Sequence, residues 1–272
     1  MPRDSQLEKR LASWGKVLTS ANLDLPERQA DELAKERKQL LKRWSEHPWP
    51  WLVGIDPTTT EIMLSGKVHY FPKGRPLIWT TDERDDKVPV KPFPNKLYLA
   101  AFADLLVSPA PERRIVLADK SRQMLFTTIC CQVMMHQAYF KDARRCLISK
   151  SKLADSAEVL KDKVRAPYNR LPEWLRLHNP LPDKPAEVAR FVRSRSYIRA
   201  VTQNVAEAEG RGGTISIMLI DEAARQFMFQ QIMGAVLPAA GRVWGITTPE
   251  AGTPGAMAFY AYFEERVEVG KP

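Results

Sequence analysis

Short apolar runs separated by polar turns organise this chain, and the period of each run names its element. Ile215-Ser216-Ile217-Met218-Leu219-Ile220 is almost continuously apolar, as a strand buried on both faces of a parallel sheet should be. Ile115-Val116-Leu117-Ala118 predicts a second strand, over 114–118. CLISKS (146–151) predicts a third, and GRVWGITTPEAG a fourth with a polar exit. EVARFVRSRSYIRAVTQN reads as two short strands joined by a turn, and AEAEGRGG as a loop before the strand at 215–220. Helical spacing fills the gaps, at about 126–139 and over LADSAEVLKDKVRAPYNRL, FMFQQIMGAVLPAA and GAMAFYAYFEERVE. A helix from about Lys96 to Val107 precedes them, closed by Pro109 and Pro111. Alternation of this kind predicts an α/β domain with a central, mostly parallel sheet flanked by helices.

The first third of the chain has a different texture. ERQADELAKERKQLLKRW carries Leu33, Leu40 and Leu41 among charges and predicts an amphipathic or protruding helix. Residues 48–95 are dense in Pro and Trp and then alternate in short runs (EIMLSG, KVHYFPKG, RPLIWTT), which predicts irregular β structure. The expected division is an extension over 1–91, helical and irregular β, followed by a domain over 92–268.

Composition narrows the class. The 272 residues, 44% hydrophobic, suffice for one large domain or two small ones. No apolar run approaches the roughly 18 residues of a membrane span, and MPRDSQLEKRLASWGK lacks the apolar centre of a signal peptide. Cys130, Cys131 and Cys146 are too few and too badly spaced for a disulfide frame or a zinc site. The formal charge of +9 favours an anionic partner, nucleic acid first. A merely solubilising basic surface has the same composition.

Two stretches carry candidate chemistry. The apolar run at 215–220 ends on Asp221-Glu222, and ligands of open α/β sheets sit outside such strand ends. One acid there can hold Mg²⁺ and the next can orient and deprotonate a water. A helix cap would look the same. The other stretch is RRIVLADKSRQMLFTTICC, which has the strand–loop–helix layout of a phosphate-binding loop. Lys120 and Arg122 supply cations; Ser121, Thr127 and Thr128 supply hydroxyls, with Thr127 where the helix begins. The usual Gly-Lys pair is missing, because Leu125-Phe126 stands there, and the lysine moves to the front of the loop. A capped helix without ligand is the plain alternative. Arg211, within GRGG and eleven positions before Glu222, could reach out of its own subunit toward a neighbour's phosphoryl transfer. Thr247-Thr248-Pro249 leaves the strand at 243–246 with hydroxyls for a terminal phosphate.

Taken in order, LADKSRQMLFTT, CLISKSKLADSAEVL, SRSYIRAVTQNVAEAEGRGGTISIMLIDEAAR and GITTPEAGTPGAMAFYAYFEE resemble the ATPase domain of the tailed-bacteriophage large terminase subunit, over roughly residues 92–265. That family is similar to additional-strand P-loop ATPases. The resemblance implies ATP and Mg²⁺ as cofactors and a motor that drives double-stranded DNA into a procapsid. It implies that 120–127 is the Walker A loop, with Lys120, Ser121, Arg122, Gln123, Thr127 and Thr128 on the nucleotide. Thr127 and Asp221 would hold the metal, and Glu222 would be the catalytic glutamate. Arg211 would be an arginine finger acting on the neighbouring subunit. Thr247 and Thr248 would belong to the coupling motif. The glutamine that members often carry near the start of the domain is missing from PFPNKLYL, where Tyr98 or Phe93 could stack on the base instead. The implied partners are DNA bound without sequence preference, the portal and procapsid, the small terminase subunit, and further copies in a ring, pentameric by expectation. The implied location is the host cytoplasm. Complete members carry a nuclease domain, which is not expected within this chain. A helicase-like ATPase and a catalytically silent P-loop scaffold are the alternatives.

Overall fold

The computed structural model describes residues 27–64, 66–81, 85–121 and 124–269. It divides into two compact units. One takes the described residues up to Pro94 together with Pro167–Pro180; the other takes Asn95–Ala166 and the chain from Leu181 onward.

In the first unit, helix α1 (Glu27–Glu46) and the short α2 (Pro48–Leu52) lead into three two-stranded antiparallel pairs. These pair β1 (Ile55–Asp56) with β4 (Arg75–Pro76), β2 (Glu61–Leu64) with β3 (Lys67–Tyr70), and β5 (Trp79–Thr81) with β6 (Val90–Pro92). The tryptophan density of the sequence becomes a core here: Trp44, Trp51, Trp79 and Trp174 are all buried. Trp44 stacks on Trp174 at 6.1 Å between ring centroids and meets Trp51 edge-on at 5.9 Å. Asp56 is wholly buried and fully engaged, accepting from the Thr58 backbone N–H, the Thr58 hydroxyl and Trp174 Nε1. Phe93 lies in this core, edge-on to Trp49 and 5% exposed. Its ring is therefore occupied by packing, which speaks against the base-stacking role expected of it.

The second unit is built on a six-stranded sheet in the order β7-β12-β11-β8-β10-β9. Its strands are β7 (Ile115–Asp119), β8 (Arg145–Lys150), β9 (Val188–Phe191), β10 (Ser196–Thr202), β11 (Ile215–Asp221) and β12 (Ala240–Thr247). All neighbours pair parallel except β9, which runs antiparallel to β10 at the edge. Helices α3 (Leu97–Val107), α4 (Phe126–Phe140), α5 (Leu153–Leu160), α8 (Gln203–Gly212), α9 (Phe229–Ala239) and α10 (Pro254–Val269) belong to this unit. The shorter α6 (Ala166–Asn169) and α7 (Glu173–His178) follow a π-helical segment, Lys161–Arg165. The continuous apolar run sits where its texture requires: six of the seven β11 residues are buried, in the centre of the sheet.

One element departs from the sequence pattern. AEAEGRGG, expected as a loop, is the body of α8, and Arg211 sits in its last turn. Thr202 caps the helix by accepting from the Val205 N–H. Gly210 explains why a glycine is tolerated in the helix interior. A Cβ there would lie 2.8 Å from the Ala235 carbonyl carbon of α9, so the glycine is what lets the two helices approach.

Candidate nucleotide site at the carboxyl edge of the sheet

The parallel register brings the carboxyl ends of four strands to one edge. Asp119 lies opposite Thr247, Asp221 opposite Ile246, and Ile220 opposite Ser149, the residue before Lys150. Strand β12 therefore stands between the strand that feeds the candidate phosphate loop and the strand that ends on the two acids. Lys120 extends the first ladder by one bond, its N–H donating to the Thr247 carbonyl at 3.0 Å.

The loop delivers its hydroxyl to the acid. Thr127, in the first turn of α4, donates from Oγ1 to Asp221 Oδ1 at 2.9 Å, across 94 positions of sequence. Thr128, about 100° further round the helix, is buried. Ser121 is exposed at the start of the loop, while Arg122 and Gln123 lie outside the described residues. Leu125 resolves the missing glycine: it caps α4 with φ 59° and ψ 15°, the left-handed conformation that glycine adopts freely. The backbone turn is thus retained on a side chain that resists it. Phe126, at the usual lysine position, packs on α3, 4.3 Å from Phe102 and stacked on Tyr98 at 6.5 Å. Tyr98, 39% exposed, also carries Lys96 Nζ over its ring at 5.9 Å.

The acids are held by residues the sequence did not single out. Lys150, ending β8, places Nζ 3.5 Å from Asp221 Oδ2 and 3.3 Å from Glu222 Oε1. Burial raises the Asp221 pKa, and outweighs the opposing pull of Lys150 and the Thr127 hydrogen bond. Burial also works against the Lys150 charge, but Asp221 and Glu222 together override it and raise its pKa. Each group's shift follows from what surrounds it: one cation faces two carboxylates, whereas the deeper carboxylate shares that cation. Gln226, fully buried, donates to the carbonyls of both Ser149 and Asp221 at 2.9 Å and accepts from Ser149 Oγ. It ties the ends of β8 and β11 together. Nothing in LIDEAARQ distinguishes Gln226 from a surface glutamine. Lys150 had a visible signal, a lysine ending a predicted strand.

Glu222 follows directly, at φ 53° and ψ 44°, on the sharp turn into Ala223–Arg225. Thr247 is 1% exposed. Its hydroxyl donates to the Thr248 carbonyl at 3.0 Å and accepts from the Ala224 N–H at 3.3 Å. It thus connects the exit of β12 to the turn after the acids. Arg211 is 74% exposed, paired within its helix to Glu207 at 2.5 Å. It precedes β11, so the length of that strand, roughly 20 Å at ~3.3 Å per residue, separates it from Asp221 of its own chain. The three thiols are buried and free, and burial raises the pKa of each, that of Cys146 to about 12. They are structural.

Among the described residues no group of three His, Cys, Asp or Glu forms a metal cluster. One buried carboxylate and one hydroxyl 2.9 Å apart instead suit Mg²⁺, which keeps several waters and completes its shell with phosphate oxygens.

These features define the class of fold: a six-stranded, mostly parallel sheet flanked by helices, like that of additional-strand P-loop NTPases, with a strand–loop–helix facing a strand that ends on two acids. The particular likeness is to the large terminase of bacteriophage HK97. That structure superposes with a TM-score of 0.52 at 11% identity, over 67% of this chain and 38% of that one. The large terminase of a thermophilic bacteriophage (TM-score 0.45, 14% identity, 64% of this chain and 44% of that one) is also similar. So is the large terminase ATPase domain of Thermus phage P74-26 (0.41, 17%, 62% and 69%). No protein-family model and no curated protein matches the chain. The chain spans well under half the length of the HK97 protein. No helix among the described residues is long and apolar enough to cross a membrane.

Proposed function

We propose that this chain is an ATP-hydrolysing motor domain of the kind large terminases use, coupling hydrolysis to movement of double-stranded DNA into a procapsid. The observation that carries the reading is the Thr127–Asp221 hydrogen bond, 2.9 Å long, with Glu222 next in line. A loop hydroxyl and a strand-end acid meet where a nucleotide's metal belongs. Bound Mg²⁺ supplies charge neutralisation at the terminal phosphates.

The chain's own residues do the rest. Lys120 presents its ammonium to the phosphates from the front of the loop. Thr127 and Asp221 fix the metal position, and Glu222 orients and deprotonates the attacking water. Arg211, far from its own acids, acts on a neighbouring subunit's nucleotide, so the active form is an assembly, a ring by this reading. Thr247, bonded to the turn after Glu222, reports the state of the site along β12. The DNA contacts are to the backbone, weakened by salt and indifferent to sequence. Portal, procapsid and small terminase subunit are the partners of such a motor, working in the host cytoplasm.

ATP binding and turnover, measured on wild type, Glu222→Ala and Lys120→Ala at high protein concentration, test this. Turnover in Glu222→Ala should fall by roughly 10²–10⁴-fold with ATP still bound. Lys120→Ala should lose binding. Arg211→Ala should be inactive alone and recover in part when mixed with Glu222→Ala, whose intact Arg211 then serves the neighbouring site that keeps Glu222. Undiminished hydrolysis by Glu222→Ala removes the catalytic assignment, and absence of rescue removes the action between subunits.

A further inference from the structure

At the opposite, amino edge of the sheet lies a cavity of about 140 Å³ lined by Val107, Gln137, Lys141, Arg144, Ser216, Ile217 and Arg242. Its charged lining is Lys141, Arg144 and Arg242, with no acid among the lining residues; Asp142, next in sequence, is not one of them. We propose that this pocket binds a single tetrahedral oxyanion of the phosphate class.

The site is built by the fold. Lys141 and Arg144 flank a tight turn in which Ala143 takes φ 55° and its N–H donates to the Ser194 carbonyl. The Ser196 hydroxyl clamps that turn, donating to the Lys141 carbonyl at 2.7 Å and accepting from the Arg144 N–H at 2.9 Å. Arg242 enters from β12. Helices α3 and α4 both end here, and their terminal carbonyls offer partial negative charge. Arg242 reaches only the α3 end, and with one nitrogen: Nη2 donates to the carbonyls of Val107 and Ser108 at 3.2 and 2.6 Å. Arg242 Nη1 and Arg144 Nε are buried with no hydrogen-bond partner. Unmet buried donors on cations are costly, and an oxyanion supplies acceptors for both. Burial and the neighbouring cations depress the pKa of Lys141 and of Arg242, as expected of a cluster lacking its counter-ion. The volume equals roughly four to five waters at about 30 Å³ each. That is room for a phosphate group among the three cations.

The probe is inorganic phosphate, titrated calorimetrically into the whole chain. Lys120→Ala serves as background, because the loop at the other edge also attracts phosphate. Wild type and Lys120→Ala should both bind, and Arg144→Gln should weaken binding at least tenfold. If circular dichroism shows that Arg144→Gln does not fold, Lys141→Gln, at an exposed position, carries the same expectation. No binding by wild type overturns the proposal. So does undiminished binding by the folded Arg144→Gln or Lys141→Gln, or binding abolished by Lys120→Ala. A short DNA duplex added to the phosphate-loaded protein then identifies the source. Displacement means that the group belongs to a nucleic-acid backbone, and retention means a free ion; both results uphold the site.

Discussion

The two edges of one sheet solve the same electrostatic problem in opposite ways. At the carboxyl edge Lys150 stands within 3.5 Å of Asp221 and Glu222, so the two acids are partly neutralised internally. At the amino edge Lys141, Arg144 and Arg242 face one another around a cavity with no acid among its lining residues, and Arg242 also donates to the Val107 and Ser108 carbonyls. Helix α4 joins the two, its first turn carrying Thr127 and its C-cap being Lys141. The difference teaches what each edge is prepared to receive. A site with its own counter-ions can take a ligand that brings both signs, such as a metal–nucleotide complex. A site with cations alone takes an anion.

The same substitution made at both edges should therefore act with opposite sign. Lys150→Met leaves two carboxylates, one of them buried, without their cation, and should destabilise by about 3 kcal/mol, the lower end for breaking a buried ion pair. Lys141→Met removes one of three mutually repelling cations and should leave stability unchanged or raise it, within about 0.5 kcal/mol. Denaturant midpoints at constant slope check both. The Lys150 effect has a defined pH window. Its pKa is higher folded than unfolded, so its contribution is complete below about 10.5, the ordinary lysine value. It is lost as the pH climbs through the folded value. The gap between wild type and Lys150→Met should stay constant from pH 6 to 9 and narrow above that ordinary value. A gap that is absent at pH 7 breaks the comparison.

Next in size is Gln226→Leu. Leucine matches the volume but strands the Ser149 and Asp221 carbonyls and the Ser149 hydroxyl in a buried place. Unsatisfied groups of this kind cost about 1–3 kcal/mol. Part of that is recovered by an apolar side chain at a fully buried position, so a loss of about 1–2 kcal/mol is expected in the same unfolding experiment. Turnover should drop with it, because Gln226 registers Lys150 against Asp221 at the strand ends. A stable but inactive variant would sharpen its role to positioning alone.

How legible was this in the sequence? The sheet strands were readable, because runs such as Ile215–Ile220 must be buried on both sides and little else in the chain has that texture. The placement of Asp221 and Glu222 at a strand end and of Thr127 at a helix start was readable, while the roles expected of them rest on the proposed function. Three things were not. Helix α8 hid behind two glycines, one of which serves helix packing rather than a turn. Gln226 ties Ser149, 77 positions away, to Asp221, so no local period marks it, and Lys150 offered only its place near a strand end. The cation pocket joins residues 107 to 242, from two helices, a turn and two strands. Only the folded register brings those together.

A smaller effect than that of Gln226 concerns Leu125, where the sequence lacks a glycine and the backbone adopts a glycine's conformation. Left-handed geometry costs a residue with a Cβ roughly 1–2 kcal/mol, and glycine escapes that cost. Glycine in turn loses more chain entropy on folding, worth about 0.4–1 kcal/mol against alanine. Both Leu125→Gly and Leu125→Ala remove the same packing, so their difference isolates the backbone. Glycine should be the more stable variant by about 0.5–1 kcal/mol, the net of those two effects, reversing the usual order at a site of ordinary φ. If alanine proves as stable as glycine, Leu125 is not strained, and the loop owes nothing to the turn that a phosphate cradle needs.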